Sequence, residues 1–193
     1  MNDKLKHFLA RTRAHIGRVK RNVRVLVASG FPVDGEAILA QVATHDDSKF
    51  LPPERETYIE LTWMYRCRRL GEPFEMTDEL KQRIAIATLH HITHNPHHPE
   101  YWAPSAHINM EDRDAPPKEM VDGTGMSDIG LVEMCCDWVA MSQENLEHNS
   151  AHVWADANVN VRWKFTTEQV ARIYQTLDAL QEVLDRVTES TTR

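Results

Sequence analysis

Apolar residues recur along this chain at intervals of three, four and seven positions, the spacing that places them on one face of an α-helix. In residues 3–28 these positions are Phe8, Leu9, Ile16, Val19, Val23 and Leu26. Prolines, glycines and capping residues divide the rest of the chain into further helical segments, at 35–46, 54–69, 77–94, 127–147 and 167–188. The stripe predicted to be buried in the last segment is Val170, Ile173, Leu177, Leu180, Leu184 and Val187.

Two segments lack this periodicity. Residues 95–126 contain five prolines and two glycines, and we predict a long loop there, a feature that is usually functional. Residues 149–165 are predicted to be irregular, with Trp154, Trp163 and Phe165 as anchors. The sequence has no clear strand alternation and no internal repeat. The pattern therefore predicts an all-α fold, one helical bundle over residues 1–193 with a long loop between the fourth and fifth helices and no sheet beyond a stray hairpin.

Composition narrows the class of protein. A chain of 193 residues is large enough for one proper core. No apolar run approaches the roughly 20 residues of a membrane span, and the N-terminus has no apolar signal region. The cysteines Cys67, Cys135 and Cys136 form no C-x-x-C pair. We therefore predict a cytoplasmic protein with reduced thiols and no membrane partner.

Charge is unevenly distributed. The net charge of -7 disfavours binding to polymeric nucleic acid. The first helical segment nevertheless carries one acid, Asp3, against eight basic residues, Lys4, Lys6, Arg11, Arg13, Arg18, Lys20, Arg21 and Arg24. Such a run is usually a solvated face, but it can also supply positive potential to a phosphate pocket. A small-molecule partner is expected, and homo-oligomerisation is left open.

Histidines are concentrated in one block. Residues 90–98 hold five of the eleven histidines, His90, His91, His94, His97 and His98. Imidazole is the commonest metal ligand, so a metal-centred site is the first hypothesis. The alternative is a histidine-rich solvent loop that binds metal loosely. Prolines and aromatic residues interrupt this block, which is not typical of low-complexity tracts.

A second candidate lies at the end of the predicted helix 35–46. Neighbouring side chains on a helix point about 100° apart, so His45 and Asp46 can reach one ion from the same wall. A nitrogen and a charged oxygen suit manganese, iron, cobalt or magnesium better than a thiolate site does. Asp137 lies in an otherwise apolar segment, which predicts that its carboxylate is paired or bound. The alternatives are a salt bridge or a solvent-facing position for Asp137, and an ordinary hydrogen-bonded histidine for His15.

The order of these residues resembles the HD-domain metal-dependent phosphohydrolase superfamily, which has a His on the first helix, a His-Asp pair and a distant Asp. His15 stands in an H-x-x-R-V context, and residues 45–49 are similar to the HDxGK form with Ser48 in place of Gly. The motifs HDxSKF, HHxxHNPHHPEYW and EMxxDW together look like an uncharacterised branch of HD-like proteins. The resemblance covers residues 13 to about 138. It implies that the metal ligands are His15, His45, Asp46 and Asp137.

The resemblance also bears on the histidine block and on the number of ions. One of His90 and His91, with one of His97 and His98, would bind a second metal as in the dinuclear branches, where the Asp of the pair bridges the ions. Those branches separate the two extra histidines more widely. Alternatively, the block hydrogen-bonds a substrate phosphate or protonates the leaving group. The expected cofactor is thus one or two divalent ions, manganese, iron, cobalt, zinc or magnesium.

The function implied is hydrolysis of a nucleotide or other small phosphoester by a metal-activated water. Lys49 and Arg11 are the candidates for phosphate binding. For Lys49, an ordinary solvated lysine at a helix end is an equally weighted alternative. The residues expected to line the pocket are Asn95, Glu100, Tyr101 and Trp102.

The aromatic rings of that group would stack on a base, or they pin the loop to the core. We expect His91 to face inward and Glu100 to orient an imidazole. Two alternative functions are an HD-type diiron oxygenase and a non-catalytic HD-like binding module.

Overall fold

The first helix, α1 (Asp3–Ala28), contributes side chains to both apolar cores of the described residues. As the apolar spacing predicted, one face of α1 is buried, and Phe8, Val19, Val23 and Leu26 on it are fully buried. The structure is a computed structural model that describes residues 2–103, 119–144 and 150–191, with side chains to Val187.

Six further helices follow within these residues: α2 (Gly35–Val42), α3 (Glu54–Leu70), α4 (Asp78–His94), α5 (Asp128–Glu144), α6 (Ala151–Asn158) and α7 (Thr167–Thr191). Two short 3-10 helices cover Asp47–Phe50 and Pro99–Tyr101. The caps are those expected from sequence, since the Asp34 carboxylate accepts from two amides of α2 and the Thr77 hydroxyl accepts from Leu80 N. Gly71 ends α3 with φ 66°, a conformation that glycine adopts without strain. The predicted all-α bundle is confirmed.

Two predicted segments were wrong in detail. The helix predicted over 35–46 ends at Val42, because the chain turns and Asp46 adopts the left-handed conformation with φ 62°. The segment 149–165, predicted to be irregular, contains α6, which Ser150 caps by accepting from Val153 N. Trp154 on that helix is 42% exposed and does not belong to the larger core, whereas the other two predicted anchors, Trp163 and Phe165, are buried in it.

The only sheet among the described residues is a pair of two-residue strands, β1 (Val121–Asp122) and β2 (Trp163–Lys164). They are parallel, with Val121 opposite Trp163, so the pair is not the hairpin that the sequence allowed. Residues 104–118 of the predicted loop and 145–147 of a predicted helix lie outside the described residues. The prediction of one domain over residues 1–193 stays a prediction.

Two apolar cores flank the middle of α1. The larger core combines α1 with α2, α5, α6 and α7, and the smaller one packs the start of α1 against α3 and α4. His15 lies between Phe8, which belongs to the smaller core, and Val19, which belongs to the larger. The polar side chains that meet beside His15 are therefore enclosed by apolar packing on two sides. In the described part of the chain, no helix is long and apolar enough to cross a membrane.

Candidate metal centre

Four side chains from three separate segments meet beside the middle of α1. Nε2 of His15 lies 2.9 Å from Oδ1 of Asp137 and 3.5 Å from Oδ2 of Asp46. Nε2 of His45 lies 3.7 Å from the same Asp46 oxygen and 3.8 Å from Oδ1 of Asp137. The predicted convergence of His15, His45, Asp46 and Asp137 is confirmed, and their role as ligands stays a prediction.

Two residues of the histidine block face the other oxygen of Asp46, and a third packs against them. Nε2 of His91 lies 3.3 Å from Oδ1 of Asp46, and Nε2 of His97 lies 3.7 Å from it. The His98 ring lies 4.9 Å from the His91 ring and 4.4 Å from the His97 ring, measured between centroids. The block is thus a wall of this cluster and not a free loop, and His91 faces inward as expected.

Asp46 owes its central position to a turn of the chain. Because α2 ends at Val42, His45 and Asp46 lie in the turn that follows it, and the expectation that both project from one helix wall was wrong. Aspartate tolerates the left-handed conformation better than most side chains, because its short polar group bonds locally. The carboxylate is 1% exposed, and Nζ of Lys49 donates to its Oδ2 at 2.5 Å.

A buried glutamate supports His45 from outside the cluster. Nδ1 of His45 donates to Oε1 of Glu133 at 2.8 Å, and the Gln41 amide donates to Oε2 of the same carboxylate at 2.5 Å. A carboxylate only accepts, so Nδ1 of His45 carries a proton, and Nε2 is the nitrogen that faces Asp46 and Asp137. Sequence reasoning missed Glu133, although it precedes Asp137 by four residues on α5 and therefore shares a helix face with it.

A second buried glutamate supports the histidine block. Oε2 of Glu54 accepts from Nδ1 of His91 at 3.0 Å and from the Ser48 hydroxyl at 3.1 Å, and Oε1 accepts from Nδ1 of His90 at 2.7 Å. His90 thus lies behind His91, and its ring stacks on His94 at the surface. Glu54 had no signal in the sequence, since acidic residues in the first turn of a helix are usually solvated.

The two central carboxylates remain ionised although they are buried. Burial by itself raises the pKa of Asp46, but the Lys49 ammonium and the surrounding histidines hold it well below its usual value. Burial also opposes ionisation of Asp137, yet the hydrogen bond from His15 and the charges around it lower that pKa to about 2. Both groups therefore carry negative charge at neutral pH.

The inner histidines of the block are neutral. Burial lowers the pKa of His91 and lowers that of His97 well below the ordinary value. Burial, followed by the neighbouring His91, lowers the pKa of His98 to about 3. The pKa of His45 is raised instead, because Asp46 and the hydrogen bond to Glu133 outweigh its burial. A neutral imidazole has a free lone pair, which is the form that binds metal.

The donor set fits a divalent cation. Nε2 of His45, Oδ1 of Asp46 and Nε2 of His98 are buried and have no hydrogen-bond partner in the structure. Such orphaned atoms are costly unless something occupies the space between them. Among the described residues, three sets each present ligand atoms within 4.8 Å of one another: His15 with His45 and Asp137, His91 with His97 and His98, and His45 with Asp46 and His97, which shares one residue with each of the others. This buried cluster of imidazole nitrogens and carboxylate oxygens can hold a metal ion.

The predicted phosphate-binding residues lie at the edge of the cluster. Lys49 is in contact with Asp46, as described above. Nε of Arg11 pairs with Oε1 of Glu144 at 2.5 Å, and Arg18 reaches the other oxygen of that carboxylate at 3.2 Å. The Glu144 carboxylate in turn lies 4.0 Å from Nδ1 of His15. Arg11 is therefore tied to the outer side of His15.

The residues expected to line a substrate pocket have different partners. Asn95 is buried and its amide donates to His91 O at 2.7 Å. Glu100 accepts from the Trp163 indole at 2.7 Å and its other oxygen has no partner, so the expectation that it orients an imidazole was wrong. Trp102 donates to Pro96 O at 2.9 Å and packs on the larger core, which favours the alternative that it pins the loop. Tyr101 is 46% exposed.

A cleft of about 300 Å³ adjoins the cluster. His45, His97 and Glu133 of the cluster are among its lining residues, and Gln41, Thr44 and Asp47 line it from α2 and the turn after it. The cleft has the size of a small-molecule pocket and is lined by both polar and apolar groups.

Comparison with known proteins places the chain in one family. No curated protein and no solved structure matches it. The model of a family of unknown function, DUF5662, matches residues 4–185, and the chain therefore belongs to that family.

Proposed function

We propose that this protein is a metal-dependent phosphohydrolase of the HD type, acting on a nucleotide or another small phosphoester. The observation that carries the proposal is the position of the Asp46 carboxylate. Its Oδ2 faces His15 and His45, and its Oδ1 faces His91 and His97. One carboxylate between two sets of imidazoles is an arrangement that would suit two neighbouring divalent ions.

Each ion has its own set of ligands in this proposal. His15, His45, Asp137 and Oδ2 of Asp46 would hold the first ion. His91, His97, His98 and Oδ1 of Asp46 would hold the second. Nitrogen and oxygen donors without thiolate favour manganese, iron, cobalt or zinc over softer ions, and the three cysteines are buried and free of this set. A divalent ion, when bound there, polarises a phosphoryl oxygen and acidifies a coordinated water.

The protein's own groups supply the rest of the chemistry. Burial in the junction between the two cores lowers the local dielectric constant, which strengthens each charge interaction made there. Lys49, whose side chain is 21% exposed, is the cation that would meet a phosphate oxygen from the solvent side. The cleft beside His45 and His97 has room for a small substrate.

A second function is favoured by one specific observation. His91 and His97 face one oxygen of Asp46, and the half-buried His98 joins them in one set of ligand atoms. Such nitrogen-rich ligation also suits an iron pair. An HD-type diiron oxygenase is therefore the competing proposal. The phosphohydrolase and the oxygenase differ in metal and in substrate, so metal analysis and activity assays on one preparation of the protein distinguish them.

Metal content and turnover test the proposal together. Purified protein is analysed for bound metals, stripped, reloaded with manganese, cobalt, zinc or iron, and assayed for phosphate release from aryl phosphoesters and nucleotides. We expect two ions per chain, with phosphate release that Asp137→Asn lowers by at least 100-fold. Two bound irons with oxygen consumption and no phosphate release would favour the oxygenase. Metal binding without either reaction would leave only a binding module.

A further inference from the structure

We propose that Glu54 is a positioning residue for the half of the centre formed by His91, His97 and His98, and that it sets which nitrogen of His91 faces the interior. This inference rests on the two-ion centre proposed above. Glu54 is the first residue of α3 and lies three residues after Leu51, which caps the Asp47–Phe50 helix. It comes from a different element than any of the three histidines.

The surroundings of Glu54 are unusual for the first residue of a helix. Its side chain is 0% exposed, whereas most glutamates in a first turn are solvated. A buried carboxylate is costly unless hydrogen bonds compensate it. Three donors do so here, Nδ1 of His90, Nδ1 of His91 and the hydroxyl of Ser48, at 2.7, 3.0 and 3.1 Å.

The hydrogen bond to His91 has a consequence for metal binding. Because a carboxylate has no proton to give, His91 must donate from Nδ1, and its Nε2 is left unprotonated. That Nε2 lies 3.3 Å from Oδ1 of Asp46, where the second ion would be held. Glu54 therefore selects the only neutral tautomer of His91 that can bind an ion at this position.

The structure also contains a group that favours the opposite tautomer. Nδ2 of Asn95 lies 3.1 Å from Nδ1 of His91, and at present it donates to His91 O and to the Ser48 hydroxyl. Without the Glu54 carboxylate, this amide can donate to Nδ1 of His91. The proton of His91 would then move to Nε2 and face Asp46, and the position would be closed to a cation.

Glu54 is a more selective probe than Glu133. Oε1 of Glu133 bonds to His45 and also lies 3.8 Å from Nδ1 of His97, so a change at Glu133 reaches both halves of the centre. The hydrogen bonds of Glu54 to imidazoles go to His90 and His91 alone. A change at Glu54 should therefore act on one half.

Two measurements on Glu54→Gln test the inference. Metal-free protein is titrated with cobalt(II) by calorimetry, and the tautomer of His91 is read from ¹⁵N chemical shifts of labelled histidines, above the ordinary histidine pKa. The matched control is Glu60→Gln, the same change on the same helix at a part-exposed residue that pairs with Lys4.

For the wild type and Glu60→Gln we expect two cobalt equivalents and a proton on Nδ1 of His91. Glu54→Gln should keep the first equivalent, bind the second about 10–100-fold more weakly, and shift His91 toward the Nε2-protonated form.

The inference is overturned if Glu54→Gln keeps the wild-type tautomer and both affinities, or if both equivalents weaken equally together with the melting temperature. The second result would mean that Glu54 acts only on overall stability. If the wild type binds fewer than two cobalt ions, the two-ion function proposed above fails. The tautomer of His91 in metal-free protein still decides the positioning role in that case, because it is measured without metal.

Discussion

Nε2 of His91 lies 3.3 Å from Oδ1 of Asp46, and the opposite oxygen of the same carboxylate lies 3.5 Å from Nε2 of His15. His91 belongs to the last turn of α4 and Asp46 to the turn after α2, so two segments distant in sequence meet at one carboxylate. Loss of this single group should affect both halves of the centre.

Asp46→Asn tests that dependence. Asparagine tolerates the left-handed backbone of residue 46, which alanine does not, so the turn should be kept. A neutral amide is a poor ligand, and we expect both metal equivalents and any turnover to be lost while the helical circular dichroism is unchanged. Asp178→Asn, at an exposed residue on α7, should retain full metal content. Retention of one full equivalent by Asp46→Asn would show that the halves do not share this carboxylate.

His91→Ala and His98→Ala test the second half of the centre. Each removes an imidazole from one set and leaves His15, His45 and Asp137 intact, so we expect about one ion per chain where the wild type has two. His152→Ala is the control, since His152 pairs with Asp178 at the surface. Metal analysis after gel filtration gives the count. Two ions retained with full turnover in both variants would contradict a role for the block in the centre.

Gly130→Ala tests how tightly α5 supports the histidine block. A Cβ at Gly130 would stand 2.8 Å from the carbonyl oxygen of Pro96, a backbone atom that cannot rotate away as the end of a side chain can. We expect a loss of about 1–3 kcal/mol in the free energy of unfolding, with weaker binding of the second ion, because residues 96–98 must shift.

Gly17→Ala is the matched control for that change. A Cβ at Gly17 would meet nothing within 4 Å, and the residue lies inside α1. This variant should gain about 0.5–1 kcal/mol, because alanine loses less conformational entropy than glycine in a helix. Chemical denaturation measures both values. Equal stability of the two variants would mean that the contact with Pro96 is loose.

The pKa of His98 predicts how the metal-free protein responds to acid. Burial lowers that pKa to about 3 in the folded state, whereas an unfolded histidine titrates near its ordinary value of 6.5. Below pH 6.5 the unfolded chain therefore binds a proton at His98 that the folded protein does not bind, so the free energy of unfolding falls as the pH drops toward 3. His98 alone changes the free energy of unfolding by at most about 1.4 kcal/mol per pH unit.

The variant His98→Gln should remove that contribution. The difference in unfolding free energy between wild type and variant should thus shrink or reverse as the pH falls from 7 to 4. His45 gives the free energy of unfolding the opposite dependence on pH, but this contribution cancels in the difference because both proteins contain His45. Denaturant titrations at several pH values give the curves. Parallel curves would contradict the assigned burial of His98.

Local features of the sequence predicted most of the helices. Spacing of apolar residues, the caps at Asp34 and Thr77 and the stop at Gly71 act within a few residues, so each could be read without knowledge of the fold. The helical spacing of Leu80, Ile84 and Ala87 also favoured His91 as the inward histidine over the alternative face of Ile86 and Leu89. The group of His15, His45, Asp46 and Asp137 was selected through its resemblance to the HD-domain order of residues.

The division of the site was decided only by the tertiary structure. Asp46 faces two sets of histidines because the chain turns through a left-handed residue after α2, and its neighbours there come from α1, α4 and α5. Glu54 and Glu133 entered the site because helix packing buried them beside imidazoles, and burial depends on contacts between distant segments. The sequence alone determined which elements and donor groups this chain has; the packing of those elements decided which atoms face one another, since hydrogen bonds and ligand geometry depend on distances that no local pattern contains.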